Sequence, residues 1–496
     1  MPEINQQLKA HSLYFEHAKK ISIAYSGGLD SHVLLHAAVN LLGSDRVTAI
    51  HVNHQLSDQA NTWAAHCNTV CKALNITQQT YTVRLDTNSS IENAAREARY
   101  QAFEKALGEQ DVLLLAHHLD DQAETILYRL LRSAGPRGLA GIPVTRPLGR
   151  GQLVRPFLKL SRKALEDYAR KHKLQWIEDP SNQSLQHDRN YLRHQVIPTL
   201  HQRWPDFAKR IATSAQLCGH ADTLNQDLAD IDLNNLNSRR EKFGWSIDLL
   251  GLQALSQPRQ ANILRRWAQL NAIKAPGYHR ITASLHTLFT ERKDSKPLIS
   301  WPEGQFRRFK SRLFLLPVAS FLQTPACKSD LPHTQNLQDD TKGPENKALF
   351  WHPQEGPINL STARATLEGC TPQEESTLHV TRTKKEGGLR VNPKHALKVM
   401  FRSGSERCQP SGRVGSRSLK KLFQEYQLEP WLRNQIPLLY QKNTTRDDNT
   451  PEWQLVAVAD LWVCQGFETH EGEDGYAFHW TIQPPLQHTG SAYDSA

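Results

Sequence analysis

The sequence predicts an α/β chain: an N-terminal parallel sheet wrapped by helices, a helical middle, and a small α+β module at the rear. Three observations carry this. Up to residue 116, short β-branched runs alternate with stretches of helical period, the pattern of a parallel sheet covered on both faces. Residues 112–116, Val-Leu-Leu-Leu-Ala, show no polar alternation, as a strand buried on both sides requires. From residue 211 to about 315 the helical period dominates, and after a polar stretch the chain returns to short strands.

In order, the expected strands are residues 21–25, 47–52, 81–85 and 112–116, and the helices between them 32–42, 61–74 and 91–107. The clearest helices of the middle are 260–270 and 279–289. Residues 418–426 are the one helix expected in the rear module. The domain expectation is 1–210 for the sheet domain, 211–322 for the helical domain and 348–485 for the rear module. A linker or surface insertion takes 323–347, which is rich in Asp, Gln, Asn, Pro and Thr, and a frayed tail 486–496.

Composition narrows the class. Sixty Lys and Arg against 50 Asp and Glu give a formal charge of +10 and suit a polyanionic partner such as nucleic acid. No run reaches the ~18 apolar residues of a membrane helix, and the polar N-terminus lacks a signal-peptide core. The seven cysteines are scattered without a Cys-x-x-Cys pair, so reduced thiols in the cytoplasm are expected.

The motif Ser26-Gly27-Gly28-Leu29-Asp30-Ser31 lies between a strand and a helix. Gly27 and Gly28 let the backbone approach an oxyanion, and the free N–H groups of the following helix point at it. Ser26 and Ser31 add hydroxyls, and Asp30 is placed to hold Mg²⁺ against phosphates. There is no Walker lysine, which argues against a γ-phosphate hydrolase. The loop resembles the PP-loop of the ATP pyrophosphatase superfamily, whose members cleave ATP to AMP and pyrophosphate.

Five further segments follow: His51-Val52-Asn53-His54, Glu92-Asn93-Ala94-Ala95-Arg96-Glu97-Ala98-Arg99-Tyr100, Ala116-His117-His118-Leu119-Asp120-Asp121-Gln122-Ala123-Glu124-Thr125, Glu178-Asp179-Pro180-Ser181-Asn182 and Arg189-Asn190-Tyr191-Leu192-Arg193. In this order and spacing they resemble the tRNA(Ile)-lysidine synthase family, strongly over residues 20–200. The resemblance implies ATP as co-substrate and adenylation of the wobble cytidine in tRNA(Ile) with a CAU anticodon. Lysine then joins at C2, and codon reading passes from AUG to AUA. It also implies a C-terminal domain that helps grip the tRNA. A homodimer is compatible with this reading, the sequence itself not setting the number of chains.

Each candidate has its own physical reading. Asp121 and Glu124 are three apart on a helix at the end of a central strand and share a face with Asp120, where two or three carboxylates would hold the amine of lysine and Asp121 or Glu124 accept its proton; exposed acids at a helix N-terminus are the alternative. His117 is expected at the phosphate or the cytosine, or else as a buried structural histidine. Arg96 and Arg99 share a helical face and suit an α-phosphate, while pairing with Glu92 or Glu97 would explain them equally. Asn53 and His54 are candidate nucleotide contacts. For the tRNA the expectation is Arg189, Arg193, Arg413, Arg417, Lys420 and Lys421. The last four belong to a stretch where seven basic residues (with Arg402, Arg407 and Arg433) face Glu406, Glu425 and Glu429. Trp431 and Tyr426 could stack on bases, with core packing the stronger reading for both.

Gln55, Ser133 and Ser405 stand where the family commonly has glycine, which puts local loop geometry in question. Two rival functions remain at this point: a PP-loop tRNA thiolase, and a basic RNA-binding module with an inactive nucleotide site.

Overall fold

The computed structural model describes residues 2–83, 91–180, 184–290, 297–318, 349–361, 375–390, 396–402, 404–443 and 452–483. They fall into two compact units that divide after Leu228, inside the helix Phe207–Asn235. The expected insertion and tail lie outside the described residues.

The first unit holds a six-stranded sheet. Its elements run β1 (Ile21–Ala24), α1 (Leu29–Leu42), β2 (Val47–Asn53), α2 (Ala60–Ala73), β3 (Thr77–Thr82), α3 (Ile91–Ala106), β4 (Val112–Leu114), α4 (Leu119–Leu131), β5 (Thr145–Leu148), β6 (Gly151–Val154) and α5 (Arg162–Lys171). The strand order is β3-β2-β1-β4-β6-β5, parallel except for edge strand β5. β1 is central, with Ile23 in register with Ala49 on one side and Leu114 on the other. Apolar side chains fill both faces: Val33, Leu34, Leu165 and Ala169 belong to one core, and Tyr100, Phe103, Leu113 and Leu153 to the other. The chain leaves β1 toward β2 and later returns to β4 on β1's other side. The order therefore reverses between β1 and β4, and a crevice opens there at the strands' carboxyl ends.

Strand β3 begins four residues before the expected start and ends at Thr82. Its Thr77-Gln78-Gln79-Thr80 run sits at the sheet edge, half-buried or exposed, so little apolar alternation marks it. The β5–β6 hairpin was not expected. It turns at Gly149 (φ +56°) and covers β4 with a parallel partner.

The second unit contains the expected middle helices, Gln257–Leu270 and Tyr278–Thr290, and adds a five-stranded antiparallel sheet that includes Trp245–Asp248, Gly304–Phe309 and Arg312–Pro317. The rear part combines antiparallel sheets with the helix Leu419–Glu425. One core joins the two parts, because Phe243, Phe314 and Leu316 pack in the same cluster as Leu422, Phe423 and Trp480. Trp431 stands edge-on to Phe314 and Phe309 within that cluster, so its role is packing.

Candidate active site

The loop after β1 is organised by its own hydroxyls. Ser31 Oγ donates to Gly28 O (3.0 Å) and lies 3.1 Å from Ser26 Oγ, while Ser26 N donates to Ser31 Oγ (3.2 Å). Gly28 caps α1 with no side-chain hydrogen bond, which leaves the first N–H groups of a 14-residue helix available to an anion. Gly27 has φ +87°, and a Cβ there would stand 2.7 Å from Ile177 Cδ1 and 2.9 Å from Cys67 Sγ. Ile177 N also donates to Gly27 O (2.9 Å), so the loop is clamped from a distant segment. Buried Cys67 is thus the floor of this loop, a packing role. Gly27→Ala is expected to cost about 2 kcal/mol or more, since it combines left-handed backbone with a steric clash. A lowered Tm together with a raised KM for ATP checks this.

Across the crevice, His117 and His118 lie between β4 and α4, and α4 presents Asp120, Asp121 and Glu124. His118 is 2% exposed, and three carboxylates surround its ring: Asp30 at 3.6 Å, Asp120 at 3.5 Å and Asp121 at 3.5 Å. Burial alone would favour a neutral ring, but these carboxylates outweigh it and raise its pKa to about 10. His118 is therefore an imidazolium at neutral pH. His118 is the helix N-cap: its Nδ1 stands 3.3 Å from Asp120 N and 3.5 Å from Asp120 Oδ2, and His118 N donates to Asp121 Oδ2 (3.0 Å), which completes a capping box. Asp120 in turn accepts from Arg162 N (2.8 Å), tying the cluster to α5.

Burial works against the charged form of Asp30, yet His118, Arg162 and Arg193 prevail and lower its pKa. Its Oδ1 is buried without a hydrogen-bond partner. An orphaned carboxylate oxygen beside a phosphate-binding loop fits Mg²⁺, which takes one or two carboxylates and completes its shell with phosphates and water. Among the described residues there is no group of three or more His, Cys, Asp and Glu arranged to hold a metal by themselves.

Glu124 is 5% exposed and faces Arg193, whose Nε and Nη2 approach its Oε2 at 2.9 and 2.6 Å; Nη2 also reaches Asp121 Oδ1 at 3.3 Å. Arg193 lies in a π-helical stretch, Leu192–Val196. The guanidinium expected at the tRNA thus sits between the two carboxylates expected to hold lysine. Arg162 also acts on Asp30 and Arg189 on Glu124, so four carboxylates (Asp30, Asp120, Asp121, Glu124) meet four basic side chains (His118, Arg162, Arg189, Arg193). Burial raises the pKa of Glu124, with Arg193 opposing.

Several candidates lie elsewhere. His117 turns away to accept from Arg155 Nε (3.1 Å), and burial with the adjacent guanidinium lowers its pKa to about 3. Arg155 is itself 1% exposed and also donates to Pro143 O. Arg96 folds over the Tyr100 ring at 5.3 Å. Arg99 lies near His54, whose Nδ1 is buried without a partner and whose ring is held neutral, with a pKa lowered to about 4, first by burial and then by Arg99 and His51. Asn53 ties the end of β2 to α2, donating to Asn61 Oδ1 (3.0 Å) and accepting from Gln55 N (2.9 Å). Gln55 and Ser133 adopt φ +53° and +57°, which explains why glycine suits those positions. In the second unit Arg413 and Arg417 both pair with Glu425, whereas Lys420 and Lys421 are exposed with no acidic partner among the described residues. Arg189 lies over the Tyr128 ring at 5.5 Å.

Sequence reasoning missed His118. A histidine at an N-cap followed by Asp three residues on is the available signal, but N-cap patterns are usually read from Ser, Thr, Asp or Asn.

A loop that leaves helix N–H groups free, facing a carboxylate cluster at a sheet's switch point, defines a nucleotide-using PP-loop protein. The sequence agrees: residues 2–200 match the PP-loop domain model, 248–314 the TilS substrate binding domain and 397–480 the TilS substrate C-terminal domain. The chain is 35% identical to the tRNA(Ile)-lysidine synthase of Coxiella burnetii over 93% of both chains. It is also 35% identical to that of Serratia proteamaculans, over 96% of this chain and 98% of that one. The chain belongs to the tRNA(Ile)-lysidine synthase family. Among solved structures, a U34-tRNA thiolase from Methanococcus maripaludis overlaps 43% of this chain and 79% of that one at 16% identity and a TM-score of 0.35. Among the described residues no helix is long and apolar enough to cross a membrane.

Proposed function

We propose that the chain joins L-lysine to C2 of the wobble cytidine in the CAU anticodon of tRNA(Ile), using ATP. The observation that carries the reading is the meeting of two chemistries in one crevice: an anion-binding helix N-terminus on one wall and a cluster of buried carboxylates on the other.

In this reading residues 26–31 bind the ATP phosphates, and His54 and Arg99 offer polar groups at the neighbouring edge. The C2 oxygen of cytidine attacks the α-phosphorus, the bond to the β-phosphate breaks and pyrophosphate leaves. A poor leaving group, the carbonyl oxygen, has become a good one, AMP. Mg²⁺, held by Asp30, would neutralise phosphate charge during this step. Asp121 and Glu124 bind an ammonium of lysine. The ε-amine needs a free lone pair to attack C2, so a proton must leave it, and Glu124 is the acceptor. AMP then departs as the new C–N bond is kept. Arg193 keeps both carboxylates aligned, and His118 holds Asp30 and Asp121 in fixed relation, so that activation and attack occur at one point.

The test is to incubate the full chain with ATP, labelled lysine and tRNA(Ile) bearing CAU. Label is expected on the tRNA, dependent on ATP; transfer of sulfur instead would establish the thiolase, and neither transfer would leave only an RNA-binding module.

The exposed Lys420 and Lys421 are assigned to tRNA phosphates. Changing both to Gln is expected to weaken tRNA binding and to reduce the slope of log affinity against log salt by roughly two. An unchanged slope would remove that face from the RNA contact.

A further inference from the structure

Outside the crevice, one apolar side chain has no evident structural purpose. Val414 is 97% exposed, while the next most exposed large apolar residue among those described, Leu131, reaches 74%. It stands at the tip of the loop 409–416, between the paired strands Arg407–Cys408 and Arg417–Ser418.

That loop is held in a definite shape. Ser411 N donates to Val463 O (2.9 Å), Gln465 N to Gln409 O (2.8 Å), Gln409 Nε2 to Arg413 O (2.7 Å) and Arg407 Nη2 to Ser416 O (2.9 Å). Gly412 and Gly415 flank the tip at φ +73° and +80°, and a Cβ on either would meet nothing within 4 Å. Glycine is present there for backbone conformation and not to make room for a neighbour. A loop so fixed, with its valine directed at solvent, is preorganised for something outside the chain.

The surroundings select the partner. Arg407, Arg413, Arg417, Lys420 and Lys421 lie on the loop, its strands and the next helix, and Glu425 pairs with only Arg413 and Arg417. A protein partner would call for a contiguous apolar patch, but beside Val414 stands, among the described residues, only Tyr426, 37% exposed and lying against the Arg413 guanidinium, in a basic field. RNA offers the complement, because the wide, shallow minor groove of an A-form arm exposes ribose edges between two rows of phosphates.

We propose that the loop 409–416 is a shape-reading finger for the tRNA. Val414 packs on ribose edges in the minor groove of a helical arm while Lys420 and Lys421 take adjacent phosphates. This rests on the chain acting on tRNA. Val414 lacks donors and acceptors, so the contact measures groove geometry and not base identity.

The experiment compares Val414→Ser and Val414→Ile with the unaltered chain. It measures tRNA affinity over a range of salt, lysine transfer at saturating tRNA, and oligomeric state. Val414→Ser is expected to weaken tRNA binding about fivefold, with the salt slope, maximal rate and Tm unchanged, and Val414→Ile to bind as before. A second variant, Gly412→Ala with Gly415→Ala, distorts the finger without altering charge or the tip and is expected to give a similar loss. Unchanged affinity in Val414→Ser would overturn the proposal, as would a change in oligomeric state without one in tRNA affinity. If the unaltered chain binds tRNA yet transfers no lysine, the functional reading fails while the finger is still judged by the affinities.

Discussion

Asp30→Ala is expected to abolish adenylation, with pyrophosphate release falling by about a thousandfold or more, while tRNA affinity stays within twofold. The carboxylate sits in the first turn of α1, beside the phosphate loop, and its Oδ1 has no hydrogen-bond partner among the described residues. Removing it takes away the group assigned to Mg²⁺ and leaves His118 with two carboxylates instead of three. A buried cation that loses part of its compensation costs stability, so a modest fall in Tm should accompany the loss. Asp30→Asn separates the effects, because the amide fills the same space without the charge. If Asp30→Asn released pyrophosphate at the normal rate, Asp30 would have no role at the phosphates.

Glu124→Gln should act on the second half of the reaction. Glu124 and Asp121 already hold a guanidinium, so the site is electrostatically suited to an amine. Losing one buried charge is expected to lower kcat/KM for lysine by about a hundredfold, in the range measured for a desolvated ion pair. Pyrophosphate release in the absence of lysine should be unaffected. The pH dependence has a definite sign. Burial raises the pKa of Glu124, so protons compete for this carboxylate above the usual range. Lysine use should therefore strengthen as pH rises through that pKa, and the variant should lose this limb of the profile. Equal losses in adenylation and lysine use would assign Glu124 to the architecture of the crevice and not to the amine.

How much of this was legible in the sequence follows from how local each signal is. The phosphate loop was readable because strand, glycines, hydroxyls and helix are contiguous. The buried runs of β1 and β4 announced themselves through apolar composition, and edge strand β3 was misplaced because its residues are polar. The middle sheet went unread because residues 211–315 read as one helical stretch; its hairpin of Gly304–Phe309 with Arg312–Pro317 is local, and only the pairing of Arg312–Pro317 with Trp245–Asp248 spans a long separation. The carboxylates of α4 were visible at their spacing, but no spacing reveals that Arg193, 69 residues from Glu124, closes on them. His117 and His118 are adjacent in sequence, and only the direction in which β4 ends decides which one meets the carboxylates. Cys67 beneath Gly27 is likewise a tertiary fact.

The account stands or falls on the order of two chemical steps, and the fate of the α-phosphate reads that order directly. With ATP labelled at the α-phosphorus and tRNA(Ile) but no lysine, label should become attached to the tRNA as one pyrophosphate is released per label. Adding lysine should then discharge the label as AMP while lysine appears on the tRNA. Label that never reaches the tRNA, or ATP that yields ADP and phosphate, would contradict it.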